Sequence, residues 1–265
     1  VFLTSFRVAD DVEKEALLDK LLPLLPAGVH EDGFVLSIFT GVPLERSVME
    51  AACGVALTGW TVEEVPADWR ARRARLGSGG VIVGGRVSIR SPWDPSPPEG
   101  VIDVVVERRG SAFGSGSHPT TQMCVALLLE LDACGGAADL GCGVGTLAIA
   151  AAKLGWGPVV GVDRVPVAID VARENVARNG VAVDCWVADL AQDAVPLAPL
   201  LLVNAPPPVH ARVAESITGE VRHVIVSGIV AEEVEAVLAG YHAAGFEAAN
   251  ALGTEDEWIA LRLSC

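Results

Sequence analysis

The run Ala138-Asp139-Leu140-Gly141-Cys142-Gly143-Val144-Gly145-Thr146 constrains this chain more than any other stretch. It reads as a strand, a glycine turn and a helix start. Val160-Gly161-Val162-Asp163 follows as a second strand ending in an acid. Glycine takes left-handed backbone angles at no steric cost and lets a ligand lie against bare main chain. The helix behind the turn presents unpaired N–H groups and the positive end of its dipole. An acid one strand later can accept hydrogen bonds from a ribose diol. Together these describe a site for an adenosine-containing ligand at the carboxyl ends of a parallel sheet. A dinucleotide fingerprint G-x-G-x-x-G would need glycine at 146, where Thr146 stands, which disfavours a nicotinamide oxidoreductase.

The 265 residues suffice for one large α/β domain and a smaller companion. No apolar run reaches the roughly 18 residues that a spanning helix needs, and no leader-like segment opens the chain. A net charge of −15 repels nucleic-acid backbone, so no nucleic-acid partner is expected. The basic run Arg70-Ala71-Arg72-Arg73-Ala74-Arg75 reads as a solvated face or linker. Six cysteines without a C-x-x-C pair read as small buried hydrophobes in a reducing, cytoplasmic setting. The histidines lack metal-ligand spacing, and no metal is expected.

Along the chain, strand-like Phe2–Val8, Gly33–Phe39 and Trp60–Val65 alternate with helical Glu13–Leu25 and Leu44–Leu57. That order suggests a small α+β module over 1–66, a ferredoxin-like sandwich with one degraded strand. A Gly-, Pro- and Arg-rich stretch with two short strand-like pieces, 67–100, is expected to connect it to the rest. From 101 to 265, strands and helices alternate, which predicts an α/β fold. The sheet should be Rossmann-like, mostly parallel and covered on both faces, with an antiparallel edge hairpin from the last two strands.

Two further segments carry chemistry. Gly110-Ser111-Ala112-Phe113-Gly114-Ser115-Gly116-Ser117-His118-Pro119-Thr120-Thr121 is small and flexible, then stops at a helix start. Its hydroxyls and N–H groups could close over a ligand. Asn204-Ala205-Pro206-Pro207 ends a strand, where an asparagine could accept from a target nitrogen. Asp163 suits either a ribose diol or the N-cap of the next helix, and Asp189, one strand on, could accept from an adenine amino group.

With Asp139 to Gly145, Asp163, Ser227-Gly228-Ile229 and Glu257-Trp258, these segments resemble the ribosomal protein L11 methyltransferase family, class I S-adenosylmethionine-dependent methyltransferases. The resemblance covers residues 80–265 firmly and 1–79 loosely. It implies S-adenosyl-L-methionine as methyl donor and an amine of ribosomal protein L11 as acceptor, presented by the amino-terminal module. It implies donor contacts at Thr121, Gly141, Asp163 and Asn204. The expected cofactor-binding set is Phe113, Thr120, Thr121, Asp139, Gly141, Gly143, Gly145, Asp163, Asp189 and Asn204. Asn204 doubles as the catalytic residue, and His118 is read as structural. The family's threonines are Ser115 and Ser117 here, its acid after the ribose aspartate is Val165, and its N-I-L-A segment is Asn204-Ala205-Pro206-Pro207. Two other readings stand beside this one: an N-methyltransferase of another protein, peptide or metabolite on the same scaffold, and a non-catalytic S-adenosylmethionine-binding protein.

Overall fold

Helical spacing sets Leu17 and Leu21 one turn apart on one face of a short helix, and both are buried. The computed structural model describes residues 2–9, 11–21, 29–32, 34–64, 80–92, 94–107, 116, 118–254 and 257–265. Phe113, Ser115, Ser117 and the Arg70–Arg75 run lie outside them. The chain forms two units: the first holds the described residues up to Glu64, the second those from Gly80 onward.

The smaller unit runs β1 (Phe2–Arg7), α1 (Asp11–Leu21), β2 (Val29–Asp32), β3 (Val35–Thr40), α2 (Arg46–Cys53) and β4 (Thr58–Glu64). Its strands lie in the order β2-β3-β1-β4, each antiparallel to its neighbour. This is the ferredoxin-like arrangement. The weak strand is β2, Val-His-Glu-Asp, which lacks the alternation that marks its partners. Phe6, Leu36 and Ile38 from the sheet meet Leu17, Leu21, Met49 and Cys53 from the helices.

The larger unit begins with β5 (Val81–Val83), β6 (Val87–Arg90) and β7 (Ile102–Val105), a three-stranded sheet in the order β5-β6-β7. Val83, Val87, Ile89 and Val104 join the unit's main core. The expectation that 67–100 is a connecting segment is thereby corrected from Val81 onward. Gly84, Gly85, Pro92, Pro95, Pro97, Pro98 and Gly100 sit in its loops, while β6 buries Val87, Ser88 and Ile89 in succession.

The remaining elements are α3 (Pro119–Leu128), β8 (Ala137–Leu140), α4 (Thr146–Lys153), β9 (Val159–Asp163), α5 (Pro166–Asn179), β10 (Val183–Val187), β11 (Leu200–Asn204), α6 (Pro207–Ser216), β12 (His223–Val230), a 3₁₀ turn (Ala231–Glu233), α7 (Val234–Ala243), β13 (Glu247–Gly253) and β14 (Trp258–Ser264). The seven strands are ordered β10-β9-β8-β11-β12-β14-β13, parallel from β10 through β12, with β14 antiparallel to both its neighbours. Strand side chains alternate between faces. Leu200 and Leu202 therefore enter the core shared with α3, α4 and α5, and Leu201 and Val203 the core shared with α6 and α7. Between β11 and β12, where the sequence pattern assigns no element, residues 207–216 form α6. Pro207 and Pro208 occupy its first positions, where a missing N–H costs nothing.

On α5, Asn175 and Asn179 stand one turn apart. Asn179 Oδ1 accepts from Val105 N–H and its Nδ2 donates to Val105 C=O, at 2.9 and 2.6 Å. Asn175 does the same for Glu107, both at 2.9 Å, and also donates to Val144 C=O at 3.0 Å.

Candidate active site

The strand order reverses between β8 and β11, and loops at such a switch point leave a crevice at the carboxyl ends of the strands. Thr121, Asp139, Gly141, Cys142, Gly143, Thr146, Leu147 and Asn204 line a cleft there. Gly141, Gly143 and Gly145 have φ of +87°, +52° and +85°, a succession that only glycines adopt without strain. Gly141 and Cys142 N–H both donate to Val162 C=O, at 2.8 and 2.9 Å, so the turn is sewn onto the end of β9. A methyl group on Gly141 would meet only Ala205 Cβ, at 3.9 Å, which leaves the main chain open to close approach.

Asp163 ends β9. Its Oδ2 accepts from Gly143 N–H and its Oδ1 from Val165 N–H, each at 2.9 Å. The cap residue of α5 is Val165, without a side-chain bond, so the helix-cap alternative for Asp163 does not hold. Each carboxylate oxygen keeps a second lone pair, and the two backbone bonds fix its plane. Asp139 is fully buried and accepts from Ala148 N–H at 2.9 Å, capping the first turn of α4 from the strand below. Burial pushes its carboxyl up to about 7, against the pull of the Ala148 bond.

Asn204 ends β11, and its Nδ2 donates to Thr120 Oγ1 at 3.1 Å. Thr120 Oγ1 lies 2.8 Å from His118 Nδ1, which also accepts from Thr120 N–H at 3.3 Å. His118 Nδ1 is thus the acceptor, and protons point from Asn204 through Thr120 to His118. The chain fixes the Asn204 amide with Oδ1 as its accepting end. Among the described residues, Thr121 Oγ1 is buried without a hydrogen-bond partner. An orphaned buried hydroxyl in a cleft wall fits a polar ligand that would satisfy it.

Several expected residues take other positions. Thr120 is buried behind the cleft as the bridge to Asn204, and Gly145 is the N-cap of α4. Asp189 is half-buried, and its carboxylate accepts from Ala191 N–H and Gln192 Nε2 of its own loop. Cys142, Thr146 and Leu147 line the cleft although the sequence reading did not single them out; their place beside the glycines was the available signal. Gly228 was also missed as a site residue. At φ +79° it sits where the β12–β14 pairing shifts register, and an added Cβ would fall 2.7 Å from Ala205 N and 3.0 Å from Asn204 Oδ1. Among the described residues no group of three or more His, Cys, Asp or Glu gathers to hold a metal, and no helix is long and apolar enough to cross a membrane.

A glycine cradle at the switch point, an acid after the next strand and the 3-2-1-4-5-7-6 strand pattern, counted from β8, define a class I methyltransferase fold. The solved ribosomal protein L11 methylase of Lactobacillus delbrueckii subsp. bulgaricus shares that fold, with a TM-score of 0.60 at 23% identity over 69% of this chain and 95% of that one. Residues 50–264 match the family model "Ribosomal protein L11 methyltransferase (PrmA)", and the chain belongs to that family. The ribosomal protein L11 methyltransferase of Geobacter metallireducens is 38% identical over 187 residues, 68% of this chain and 60% of that protein. That of Symbiobacterium thermophilum is 34% identical over 231 residues, 85% of this chain and 74% of that protein.

Proposed function

We propose that this chain transfers methyl groups from S-adenosyl-L-methionine to amines of ribosomal protein L11. The donor carries a ribose diol and charged amino-acid groups. Bare glycine main chain, the orphaned Thr121 hydroxyl and the Asp163 carboxylate make a site of matching chemistry. Gly141, Gly143, Asp163 and Thr121 would hold it. When bound, the donor supplies an electrophilic methyl group on a sulfonium, with the sulfur as leaving group. The chain then contributes mainly alignment.

The observation that carries this reading is the anchored Asn204 amide in the wall of the same cleft. An amine must be neutral to offer its lone pair, and a lysine amine with a pKa near 10.4 is mostly protonated at neutral pH. Desolvation in the cleft lowers that pKa. Asn204 Oδ1 accepts one of the remaining N–H groups and directs the lone pair toward the methyl group. The proton is lost to solvent before transfer, so no general base is needed.

The smaller unit presents the substrate in this reading. Exposed apolar Phe34, Val42, Val48 and Val62 and exposed acidic Glu63 and Glu64 supply contact groups of the kinds that suit a basic ribosomal protein. Six free cysteines support work in the cytoplasm. The test is incubation of the protein with labelled donor and ribosomal protein L11, followed by intact-mass analysis. Stepwise methyl additions that disappear in Asn204→Ala, with donor binding retained, are expected. Absence of label on L11 alongside label on another amine would reassign the acceptor.

A further inference from the structure

His210 lies in the first turn of α6, six residues after the end of β11, and is fully buried. Its Nε2 is 2.9 Å from Ser227 C=O and its Nδ1 3.0 Å from the hydroxyl of Tyr241, itself fully buried on α7. A carbonyl oxygen only accepts, so Nε2 carries the ring proton. Burial lowers the imidazole pKa and keeps the ring neutral. Nδ1 is therefore an acceptor and the Tyr241 hydroxyl donates to it.

The far end of this chain is the active-site turn. Ser227 C=O also accepts from Ala205 N–H at 3.0 Å, so its two lone pairs tie the residue after Asn204 to a histidine behind it. The register shift in β12 at this point lets Ser227 and Gly228 leave the ladder with β14. Bulges of this kind re-aim groups beside active sites. The hydrogen bonds that hold Gly141 and Gly143 come from elsewhere, from Val162 C=O and the Asp163 carboxylate.

We propose that His210 is a positioning residue for methyl transfer, which, with Tyr241 behind it, fixes the Ser227 carbonyl and through Ala205 the place of the Asn204 amide. The proposal rests on Asn204 as the residue that aligns the amine. It separates two properties of one enzyme: alignment of the acceptor depends on the His210 chain, and donor affinity does not. A histidine that only filled core volume would change both together, through stability.

The test uses the full chain and three substitutions. In His210→Phe both ring hydrogen bonds go while the aromatic volume stays. In His210→Gln an N–H donor toward Ser227 is kept. In Tyr241→Phe only the hydroxyl is removed, which guards against a His210→Phe that does not fold. His210→Phe should lower kcat by about 10- to 100-fold, the scale of a small misplacement of a reacting group. Affinity for S-adenosylhomocysteine should stay within about twofold, because the cradle residues keep their own bonds. His210→Gln should recover most of the kcat, and Tyr241→Phe should fall between wild type and His210→Phe. Unchanged kcat in His210→Phe and Tyr241→Phe, or a fall in donor affinity that matches the fall in kcat, would overturn the proposal. NMR of the Asn204 side-chain amide gives a readout independent of any substrate. Its resonance should move in the His210 and Tyr241 variants while the Gly143 amide holds still, and an unmoved Asn204 resonance would refute the proposal. Absence of methylation by wild type alone refutes the assigned acceptor and leaves this readout standing.

Discussion

Replacing Gly228 by alanine puts one methyl group where the structure has no room for it. The added Cβ would lie 2.7 Å from Ala205 N, 2.9 Å from Ala205 O and 3.0 Å from Asn204 Oδ1. Two of these are backbone atoms, so no rotamer change relieves the clash. The φ of +79° adds the left-handed penalty, about 1–2 kcal/mol for an L-residue. With partial relaxation of the turn, a total loss of about 2–4 kcal/mol follows. In a unit of this size that lowers the thermal midpoint by about 4–16 °C. The functional effect is larger than the stability effect, because the end of β11 yields first and carries Asn204. We expect kcat to fall by about 100-fold. Affinity for S-adenosylhomocysteine should stay within about threefold, since Gly141, Gly143 and Asp163 lie on other strands. Gly219→Ala serves as control: nothing lies within 4 Å of its added Cβ. Differential scanning calorimetry, ligand titration and initial rates on L11 measure the three quantities. A Gly228→Ala protein with wild-type kcat would refute the claim that this bulge sets the position of Asn204. So would one whose donor affinity drops as far as its rate.

Asp163→Asn removes one of two acceptors and the charge, and titration calorimetry should show donor affinity reduced by about 10-fold or more. Thr121→Val should have opposite effects on the two states. Without ligand the thermal midpoint should hold or rise, because a buried unpaired hydroxyl is gone, and the extra stabilisation by S-adenosylhomocysteine should shrink. Asp139→Asn tests linkage. The folded carboxyl titrates at about 7, above its ordinary 3.8, so the native state binds the proton more tightly and stability falls as pH rises between those values. The slope is at most about 1.4 kcal/mol per pH unit, and urea unfolding of Asp139→Asn between pH 5 and 8 should show it flattened.

The parts of the fold that depend on local pattern were legible in the chain. The alternation from Ala137 to Asn179 and the terminal hairpin follow from short-range periodicity, and glycine needs no context to signal a turn. α6 carried no clear pattern of its own, and the prolines at its first positions mark a helix start only once the helix behind them is known. β5 and β6 were legible as short strand-like pieces in the Pro- and Gly-rich stretch before Val101, but their place in the larger unit's core was not, because it depends on partners far along the chain. The same division holds at the site. Gly141, Gly143 and Asp163 belong to one βαβ unit and announce themselves by spacing. His210, Ser227 and Tyr241 meet across three elements, and no spacing in the sequence marks them.

The two asparagines of α5 have a consequence beyond the residues they hold. Among the described strands β7 is an edge strand, bonded to β6 on one side only. An edge strand offers a row of main-chain donors and acceptors to any passing chain, which is how misassembly begins. Asn179 pairs with both main-chain groups of Val105, at the last position of the strand, and Asn175 with both of Glu107 beyond it. The helix thus imitates a neighbouring strand with two amide side chains, at the end of β7 and just past it. That stretch of edge cannot recruit a second molecule, and the protection comes from a helix that also supports the glycine turn.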